Sequence, residues 1–260
     1  MLPIPPALPF VPYNDDDEEE EEDEDEDEEA QEPTMTTTEV VEDDCIYTFE
    51  SHEQSVFCCH LSHNDRYAIT GGQDDKAIIW DMMDNRLIRF DTNGHHKDSI
   101  VAVKFNLNST MVATGDMSGV IIVWNVEDGK KIYEYEVGND LNWLLWHNII
   151  DNVLLAGSHE TWMWRLSTNK PQCRTLQSFG CGNLVAELFR DGRRLAMGYE
   201  DGSIRVWNLE QNQLAITIRG NQAHHTTVTS LSLSLDDNLI ATGSANGVIK
   251  MINVKSQKVI

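Results

Sequence analysis

Tryptophan recurs along this chain at a nearly constant interval, and this interval limits what the chain can fold into. Trp80, Trp124, Trp164 and Trp207 close four apolar runs at offsets of 44, 40 and 43 residues, and Ile252 closes a fifth run 45 residues later. No window with helical periodicity competes with this pattern. The interval therefore predicts a repeat protein that is built from one kind of unit.

The first two units align without a gap and define the content of one repeat. Each unit begins at a histidine, His52 or His96, and contains three short β-rich runs separated by Gly, Asn and Asp. A fourth run, between each tryptophan and the next histidine, completes a four-stranded sheet. One small twisted sheet cannot bury both of its faces alone, so such sheets pack face to face around an axis. The sequence predicts an all-β chain of about five four-stranded blades.

A repeat of this length, with four strands and a closing Trp-Asp pair such as Trp80-Asp81, resembles the WD-repeat β-propeller family. Blades of that family carry a hydrogen-bonded set of His, Ser or Thr, Asp and Trp. The resemblance places this set at His52, Thr70, Asp74 and Trp80 in the first unit; at His96, Thr114 and Trp124 in the second, with Ser118 in the Asp position; at Trp164 in the third; at Asp201 and Trp207 in the fourth, with Met197 in the hydroxyl position; and at His224 and Thr242 in the fifth, with Asn246 and Ile252 in the other two.

Four stretches resemble one group of WD proteins more closely: Thr70–Ala77, Thr110–Gly119, Val153–Trp164 and Gly198–Trp207. Members of this kind have seven or eight blades, so the resemblance implies that five blades are an incomplete part of a ring. The segment from Cys45 to Phe49 is positioned to be a closing strand. We expect the chain to be a fragment, an alternative product or a truncated gene model; the alternative is an arc that another chain completes.

Acidic residues are concentrated at the start of the chain. The net charge is −25, and residues 1–44 contain 20 Asp or Glu, among them the unbroken run Asp15–Glu29, and no Lys or Arg. Because like charges repel, this Pro-rich and then acidic leader is predicted to be disordered. It is either a solubilising tail or an electrostatic lure for a basic partner, such as a ribosomal-protein arm or a histone tail. The predicted propeller covers 45–260, with blades near 45–90, 91–132, 133–170, 171–213 and 214–260.

Charge and motif content argue against several classes of function. Direct nucleic-acid binding is disfavoured for this acidic chain, because attraction to phosphates requires clustered Lys and Arg. Binding to an anionic membrane surface is disfavoured because like charges repel. No window reaches the ~20 apolar residues that span a bilayer. The sequence has no nucleophile elbow, P-loop or zinc-protease motif. We therefore expect that the chain is not an enzyme and that it binds no small-molecule substrate, cofactor or metal. The lack of an export signal predicts a cytoplasmic location, with the nucleus or the periphery of the cell membrane as alternatives.

Candidate binding residues follow from the resemblance. In WD propellers partners dock on the narrow top face, just after the blade histidine and just before the turn Asp. The top face of this chain is predicted to contain Ser55, Phe57, Gln73, Ser99, Val101, Met117, Asp140, Asn142, Glu200, Thr227 and Thr229. Phe57 and Met117 would be apolar anchors among polar groups, unless they are buried between blades. Trp143 is a further candidate for an exposed anchor, against a packing role in a short blade.

The resemblance implies a non-enzymatic scaffold that holds a protein partner, with the acidic leader recruiting basic segments. The implied process is cell migration and angiogenesis-type signalling, or escort of a ribosomal protein in ribosome assembly. The alternative is a substrate receptor of a ubiquitin ligase or a chromatin-associated reader, because both are also built on WD propellers.

Overall fold

The computed structural model describes residues 48–83, 86–89, 95–138, 140–167, 170–177 and 179–260. These residues form five antiparallel sheets of four strands each, and a short 3-10 turn lies at Gly220–Gln222. Residues Phe49–Ile260 form a compact unit. The predicted acidic leader and the first three residues of the predicted closing strand lie outside the described residues. Thr48, Phe49 and Glu50 are not in a strand.

Each sheet is one blade, and its strands follow chain order from one side of the sheet to the other. Blade one contains β1 (Val56–Leu61), β2 (Tyr67–Gly72), β3 (Ala77–Asp81) and β4 (Arg86–Arg89). Blade two contains β5 (Ile100–Phe105), β6 (Met111–Asp116), β7 (Val120–Asn125) and β8 (Lys131–Glu136). Blade three contains β9 (Trp143–Trp146), β10 (Val153–Gly157), β11 (Thr161–Arg165) and β12 (Gln172–Leu176). Blade four contains β13 (Asn183–Leu188), β14 (Arg194–Tyr199), β15 (Ile204–Asn208) and β16 (Gln213–Ile218). Blade five contains β17 (Val228–Leu233), β18 (Leu239–Ser244), β19 (Ile249–Asn253) and β20 (Lys258–Val259).

The hydrophobic core lies between successive blades. Ile79 of blade one packs with Phe105 of blade two, and Leu155 of blade three packs in one cluster with Trp207 of blade four. The two middle strands of a blade, such as β6 and β7, are therefore buried on both faces. Neighbouring blades contact each other through their first strands, β1, β5, β9, β13 and β17. The arc that the described residues form does not close into a ring.

The predicted blade boundaries were wrong for the fourth strand of three blades. The boundary at 132/133 falls inside β8, the boundary at 170/171 precedes β12, and the boundary at 213/214 falls inside β16. The cause is physical: these strands lie at the outer edge of a sheet, and their side chains alternate between exposed and half-buried or are largely exposed. Such strands carry a weaker apolar pattern than the buried strands that contain the repeating tryptophans.

Blade one has the complete polar set that the resemblance placed there. Trp80 Nε1 donates to Thr70 Oγ1 at 3.0 Å, Thr70 Oγ1 lies 2.8 Å from His52 Nε2, and His52 Nδ1 lies 2.9 Å from Asp74. A carboxylate only accepts, so Nδ1 carries the proton and Nε2 accepts from the threonine hydroxyl. The chain of bonds ties the third strand to the turn and to the segment that enters the blade.

Blade two has the same chain of bonds, but the assignment of Ser118 to the Asp position was wrong. His96 Nδ1 pairs with Asp116 Oδ2 at 2.8 Å, and His96 Nε2 lies 2.7 Å from Thr114 Oγ1. Trp124 Nε1 donates to Thr114 at 2.9 Å. Ser118 instead donates its hydroxyl to the other oxygen of Asp116 at 2.7 Å. A carboxylate at the end of β6, two residues before Ser118, thus reaches the histidine, and the side chains of Asp116 and His96 are fully buried.

Asp116 links the stability of blade two to pH. Burial alone would raise its pKa, but hydrogen bonds from His96, Ser118 and the Val120 N–H outweigh burial and hold the pKa of Asp116 below its ordinary value. Its stabilisation is therefore present above the unfolded pKa of about 3.9 and is lost as pH falls through the folded pKa. We expect the urea concentration at the unfolding midpoint to decrease as the pH is lowered below about 4. The Asp116→Asn variant should show less of this pH dependence. Parallel pH profiles for the two proteins would contradict this link.

Blade four lacks the histidine and the hydroxyl residue, and stacked side chains replace them. Trp207 Nε1 donates to the Tyr199 hydroxyl at 3.4 Å. The buried Arg205 guanidinium lies 4.0 Å from the Tyr199 ring centroid and donates to Asp201 at 3.1 Å. Phe179 occupies the position of the blade histidine and stacks on Trp207 at 6.2 Å. A cation on an aromatic face and one ion pair thus take over from the hydrogen-bonded chain.

Blades three and five keep only part of the set. The Trp164 indole is buried and stacks on Tyr135 of blade two at 4.7 Å. In blade five, His224 Nε2 lies 2.9 Å from Thr242 Oγ1, as in the first two blades. Ile252 fills the buried tryptophan position without an N–H to donate. These blades therefore depend more on apolar packing between neighbours.

Candidate protein-binding face

Four of the five first strands contain a β-bulge at the same place, one residue into the strand. The register shifts leave one extra residue in each of β1, β5, β13 and β17, namely Phe57, Val101, Leu184 and Thr229. A bulged residue is left out of the ladder, so its side chain can be directed away from the blade interior. Phe57 is 50% exposed, Val101 and Leu184 are half-buried, and Thr229 is exposed. In blade three, β9 pairs with β10 without a shift.

The turns between the second and third strands supply the neighbours of these bulges. Two residues after the glycine that precedes each turn stand Gln73, Met117, His159 and Glu200. Gln73 N donates to Ser55 O at 2.9 Å, and Met117 N donates to Ser99 O at 3.0 Å. Backbone hydrogen bonds therefore hold predicted residues of different segments next to each other. Met117 is 47% exposed, so in this structure neither it nor Phe57 is buried between blades.

Five of the predicted residues line one cavity of about 330 Å³, here called the top cavity. They are Val101, Met117, Asp140, Asn142 and Glu200, and with them stand Leu141, His159 and Leu184. The cavity spans the edges of blades two, three and four, where successive turns meet. Asp140 N donates to Met117 O at 3.2 Å, which joins the entry of blade three to the turn of blade two.

His159 and Leu184 belong to the cavity but were not predicted from the sequence. His159 is the blade-three equivalent of Met117, because each stands two residues after a glycine, Gly157 or Gly115. Counting from that glycine would have found it. Leu184 is the bulged residue of blade four, and a bulge is a property of strand pairing that no local residue pattern revealed here.

The remaining predicted residues flank the cavity on either side. Ser55, Phe57 and Gln73 belong to blade one, and Ser99 Oγ reaches Gln73 O at 3.5 Å. On the other side, Thr227 Oγ1 donates to Glu200 O at 3.3 Å, and Thr229 Oγ1 donates to Gly243 O at 3.4 Å. The structure thus arranges the predicted residues along one edge of the arc, from blade one to blade five.

The prediction of Trp143 as an exposed anchor was wrong. Its side chain is 7% exposed and belongs to the core between blades three and four. Its Nε1 donates to Asn183 Oδ1 at 2.7 Å. A Cβ built on Gly157 would lie 2.0 Å from the indole, so the ring occupies the space that this glycine leaves open. Trp143 therefore fills the entry of a blade that has lost its histidine.

The chemistry of the top cavity combines apolar surface with negative charge. Val101, Met117 and Leu184 supply aliphatic and thioether surface, and Asp140 and Glu200 supply carboxylates. Among the described residues that line the cavity there is no lysine or arginine. Such a surface suits a cationic side chain that is flanked by apolar groups.

The described ranges lack two kinds of feature. Within them, no helix has the length and apolar content needed to cross a membrane. The same ranges contain no group of three or more His, Cys, Asp or Glu side chains that is arranged to hold a metal ion.

Comparison with known proteins agrees with this architecture. The chain is 39% identical over 221 residues to angio-associated migratory cell protein of Homo sapiens, which covers 84% of this chain and 50% of that protein. It is 25% identical to WD repeat-containing protein SL1-17 of Schistosoma mansoni, over 81% of this chain and 70% of that protein. The chain thus spans about half the length of the human relative.

A solved structure shows the same fold. The Cps50 (Swd1) β-propeller domain of Myceliophteria thermophila superposes with a TM-score of 0.68 at 12% identity, over 78% of this chain and 67% of that one. The model for "WD domain, G-beta repeat" matches residues 43–81, 87–125, 180–208 and 216–253, and passes over blade three, where the histidine is missing. Because these matches cover more than half of the 260 residues, the chain belongs to the WD domain, G-beta repeat family.

Proposed function

We propose that this chain is a non-enzymatic scaffold that holds a protein partner on its top face. The observation that carries the proposal is the top cavity, where bulged strands and turns of three blades bring five predicted contact residues together. The two most exposed apolar members of the face, Phe57 and Met117, stand among polar side chains. A few apolar anchors within a polar rim are typical of a protein interface.

The charge of the cavity favours a partner with a basic segment. Asp140 and Glu200 stand at its rim, and both are exposed. A lysine or arginine of the partner can pair with these carboxylates while its neighbours cover Met117 and Val101. The acidic run Asp15–Glu29 would raise the rate at which such a partner arrives, because long-range attraction steers association.

The cellular process is proposed from similarity. The relatives at 38% to 39% identity carry the name angio-associated migratory cell protein, which supports a role in cell migration or angiogenesis-type signalling. Escort of a ribosomal protein would use the same preference for a basic segment. We place this function in the cytoplasm.

Replacing Met117 tests the top face. We expect Met117→Ala to weaken binding of a basic-apolar peptide about tenfold or more, because an exposed anchor is lost. Folding should be unaffected, with a change below about 0.5 kcal/mol, because the side chain is about half exposed. Fluorescence anisotropy with a labelled peptide that alternates lysine and leucine measures the first effect, and urea denaturation measures the second.

Met83→Ala is the matched control for Met117. Met83 is 77% exposed and lies in the turn after β3, outside the lining of the top cavity. The Met83→Ala variant should have the peptide affinity and the stability of the wild-type chain. Equal peptide affinity for the Met117 variant and the wild-type chain would contradict the proposed function.

Deleting residues 15–29 tests the acidic leader. Removal of 15 carboxylates should slow peptide association about tenfold at low salt and have little effect near 0.5 M salt, because screening shortens the range of the attraction. The dissociation rate should change little. Stopped-flow association at several salt concentrations measures the effect. An association rate that is unchanged at low salt would leave the leader as a solubilising tail.

A further inference from the structure

A second cleft lies between blades three and four, at the edge opposite to the top face. The top face holds the turn from β10 to β11, whereas this cleft is bordered by the loop from β9 to β10 and the turn from β13 to β14. In antiparallel sheets successive connections alternate between the two ends, so the two sites are at opposite ends of the blades. The cleft has a volume of about 380 Å³ and is here called the lower cleft. A volume of this size falls within the ~300–1,000 Å³ of typical ligand pockets.

The floor of the lower cleft is apolar. Val153 and Leu209 are buried beneath it, and Met163 is half-buried. Ile149 and Ile150 stand at its border with 56% and 38% of their surface exposed. Aliphatic surface is therefore open to solvent on one side of the cleft. Burying it under a partner's side chain would be favourable, because apolar surface is removed from water.

Two arginines stand over this floor on one face of blade three. Arg165 pairs with Gln172 across β11 and β12, and Met163 pairs with Arg174, so all four residues share that face. Diagonal neighbours on adjacent strands are ~7–8 Å apart, which long side chains can bridge. Both guanidinium groups can therefore reach one acidic group that is bound above Met163.

The two carboxylates that line the lower cleft pair with other arginines. Asp191 pairs with Arg194 at 2.6 Å, and Glu210 pairs with Arg193 at 3.3 Å. Within the described part of the chain, neither Arg165 nor Arg174 forms an ion pair of this kind with a carboxylate. In a chain of net charge −25, this leaves a local cationic site above an apolar floor.

The border of the cleft is held in place before any partner arrives. His147 Nε2 donates to Gly192 O at 2.7 Å, and its Nδ1 accepts from the N–H groups of Ile149 and Ile150 at 3.1 Å each. Burial lowers the pKa of His147, which keeps the ring neutral and able to accept at Nδ1. Asn148 adds a bond to Phe189 O at 2.8 Å. Preorganisation of this kind reduces the entropy lost on binding.

We propose that the lower cleft binds a peptide segment of a protein partner in which an aliphatic or aromatic side chain stands next to Asp or Glu. The apolar side chain would cover Val153, Met163 and Leu209, and the carboxylate would accept hydrogen bonds from Arg165 and Arg174. A planar guanidinium can offer two parallel N–H groups to a carboxylate, which gives direction as well as charge. The site is independent of the top face and selects the opposite charge.

The test uses the full chain and short fluorescein-labelled peptides that contain Leu-Glu-Glu or Phe-Glu-Glu between glycines. Matched peptides with Leu-Gln-Gln or Phe-Gln-Gln are the controls for charge. We expect saturable binding of the glutamate peptides with Kd below about 1 mM at low ionic strength, and binding of the glutamine peptides at least about tenfold weaker. Anisotropy titration measures both. Absence of saturable binding, or equal binding of the two kinds of peptide, overturns the proposal.

Variants then locate the binding. Arg165→Ala with Arg174→Ala should lower affinity about tenfold and remove the preference for glutamate, and Ile149→Ser should lower affinity several-fold. All three side chains are exposed, so the fold is retained. Arg190→Ala is the matched control, because Arg190 is exposed on the neighbouring turn and does not line the cleft. Unchanged affinity in the arginine double variant places the binding elsewhere and overturns the proposal.

Two further outcomes distinguish peptide binding at the lower cleft from binding at the top face and from self-association. Met117→Ala should leave glutamate-peptide binding unchanged, so failure at the lower cleft is distinguishable from failure of the proposed function. A second copy of the chain could also occupy the cleft. In that case the wild-type chain would self-associate in sedimentation experiments and the arginine double variant would not, which would contradict a separate partner.

Discussion

Replacing Asp116 with alanine is expected to lower the free energy of unfolding by about 3 kcal/mol, because one buried carboxylate accepts from several donors at once. His96 Nδ1, the Ser118 hydroxyl and the Val120 N–H all donate to it, at 2.8, 2.7 and 2.9 Å. Alanine leaves the Nδ1–H of His96 without an acceptor in a site where the His96 and Asp116 side chains are fully buried, and it also removes the acceptor of Ser118 and Val120. The cost of an unsatisfied buried group, ~1–3 kcal/mol, therefore applies in full to His96, and the loss of the other two hydrogen bonds adds to it.

The measurement is urea denaturation followed by circular dichroism at neutral pH. Asp128→Ala is the control within the same blade, because Asp128 is an exposed carboxylate that pairs with Lys130 at 2.8 Å. That variant should have the midpoint of the wild-type chain, since exposed pairs contribute little. If Asp116→Ala also unfolds at the wild-type midpoint, Asp116 does not hold blade two together. Ser118 would then be the residue that stabilises blade two, as the sequence predicted, and Ser118→Ala would be the destabilising change.

Much of the fold was predictable because the residues that recur at the repeat interval are buried. Trp80, Trp124 and Trp207 are each buried one residue before the end of a strand, so their spacing equals the spacing of the blades. The polar set of blade one was also placed correctly by position, as the bond from His52 to Asp74 shows. Buried residues are under packing constraints that a single sequence displays. Outer strands such as β8 and β12 carry fewer of those constraints, and the predicted boundaries failed there.

The candidate site was predictable only in part. Alignment by position assumed that equivalent side chains occur at equivalent numbers, yet Asp116 reaches His96 from two residues before the expected place. Leu184 was missed because bulges depend on how β13 pairs with β14, which is a long-range property. Trp143 was misassigned for a related reason. A large aromatic residue at a strand entry has the same appearance in sequence whether its ring points to solvent or to the space above Gly157.

Replacing Trp143 with alanine is expected to lower the free energy of unfolding by about 4 kcal/mol, since a large buried side chain leaves a cavity that the neighbours fill only partly. The indole packs in one cluster with Leu155, Met197 and Trp207, between blades three and four. Its loss also leaves Asn183 Oδ1 without the donor that lies 2.7 Å away. An exposed anchor would behave in the opposite way, with stability unchanged and partner binding lost.

Phe57→Ala is the matched control for Trp143, because Phe57 is an aromatic side chain at the entry of its own blade and is 50% exposed. It should cost less than about 1 kcal/mol, because half of its surface is already in contact with water. Urea denaturation of both variants measures the contrast. If the two aromatic residues cost the same small amount, Trp143 is not part of the core.

A double-mutant cycle separates the hydrogen bond of Trp143 from its packing. Trp143→Phe keeps an aromatic ring and removes the N–H, and Asn183→Ala removes the acceptor. The two changes should couple by about 1 kcal/mol, because each one alone already breaks the hydrogen bond. Independent effects would mean that the indole N–H is satisfied elsewhere and that packing alone holds Trp143. Because Asn183 starts the bulged strand that carries Leu184, a measured coupling would also link the core of blade three to the wall of the top cavity.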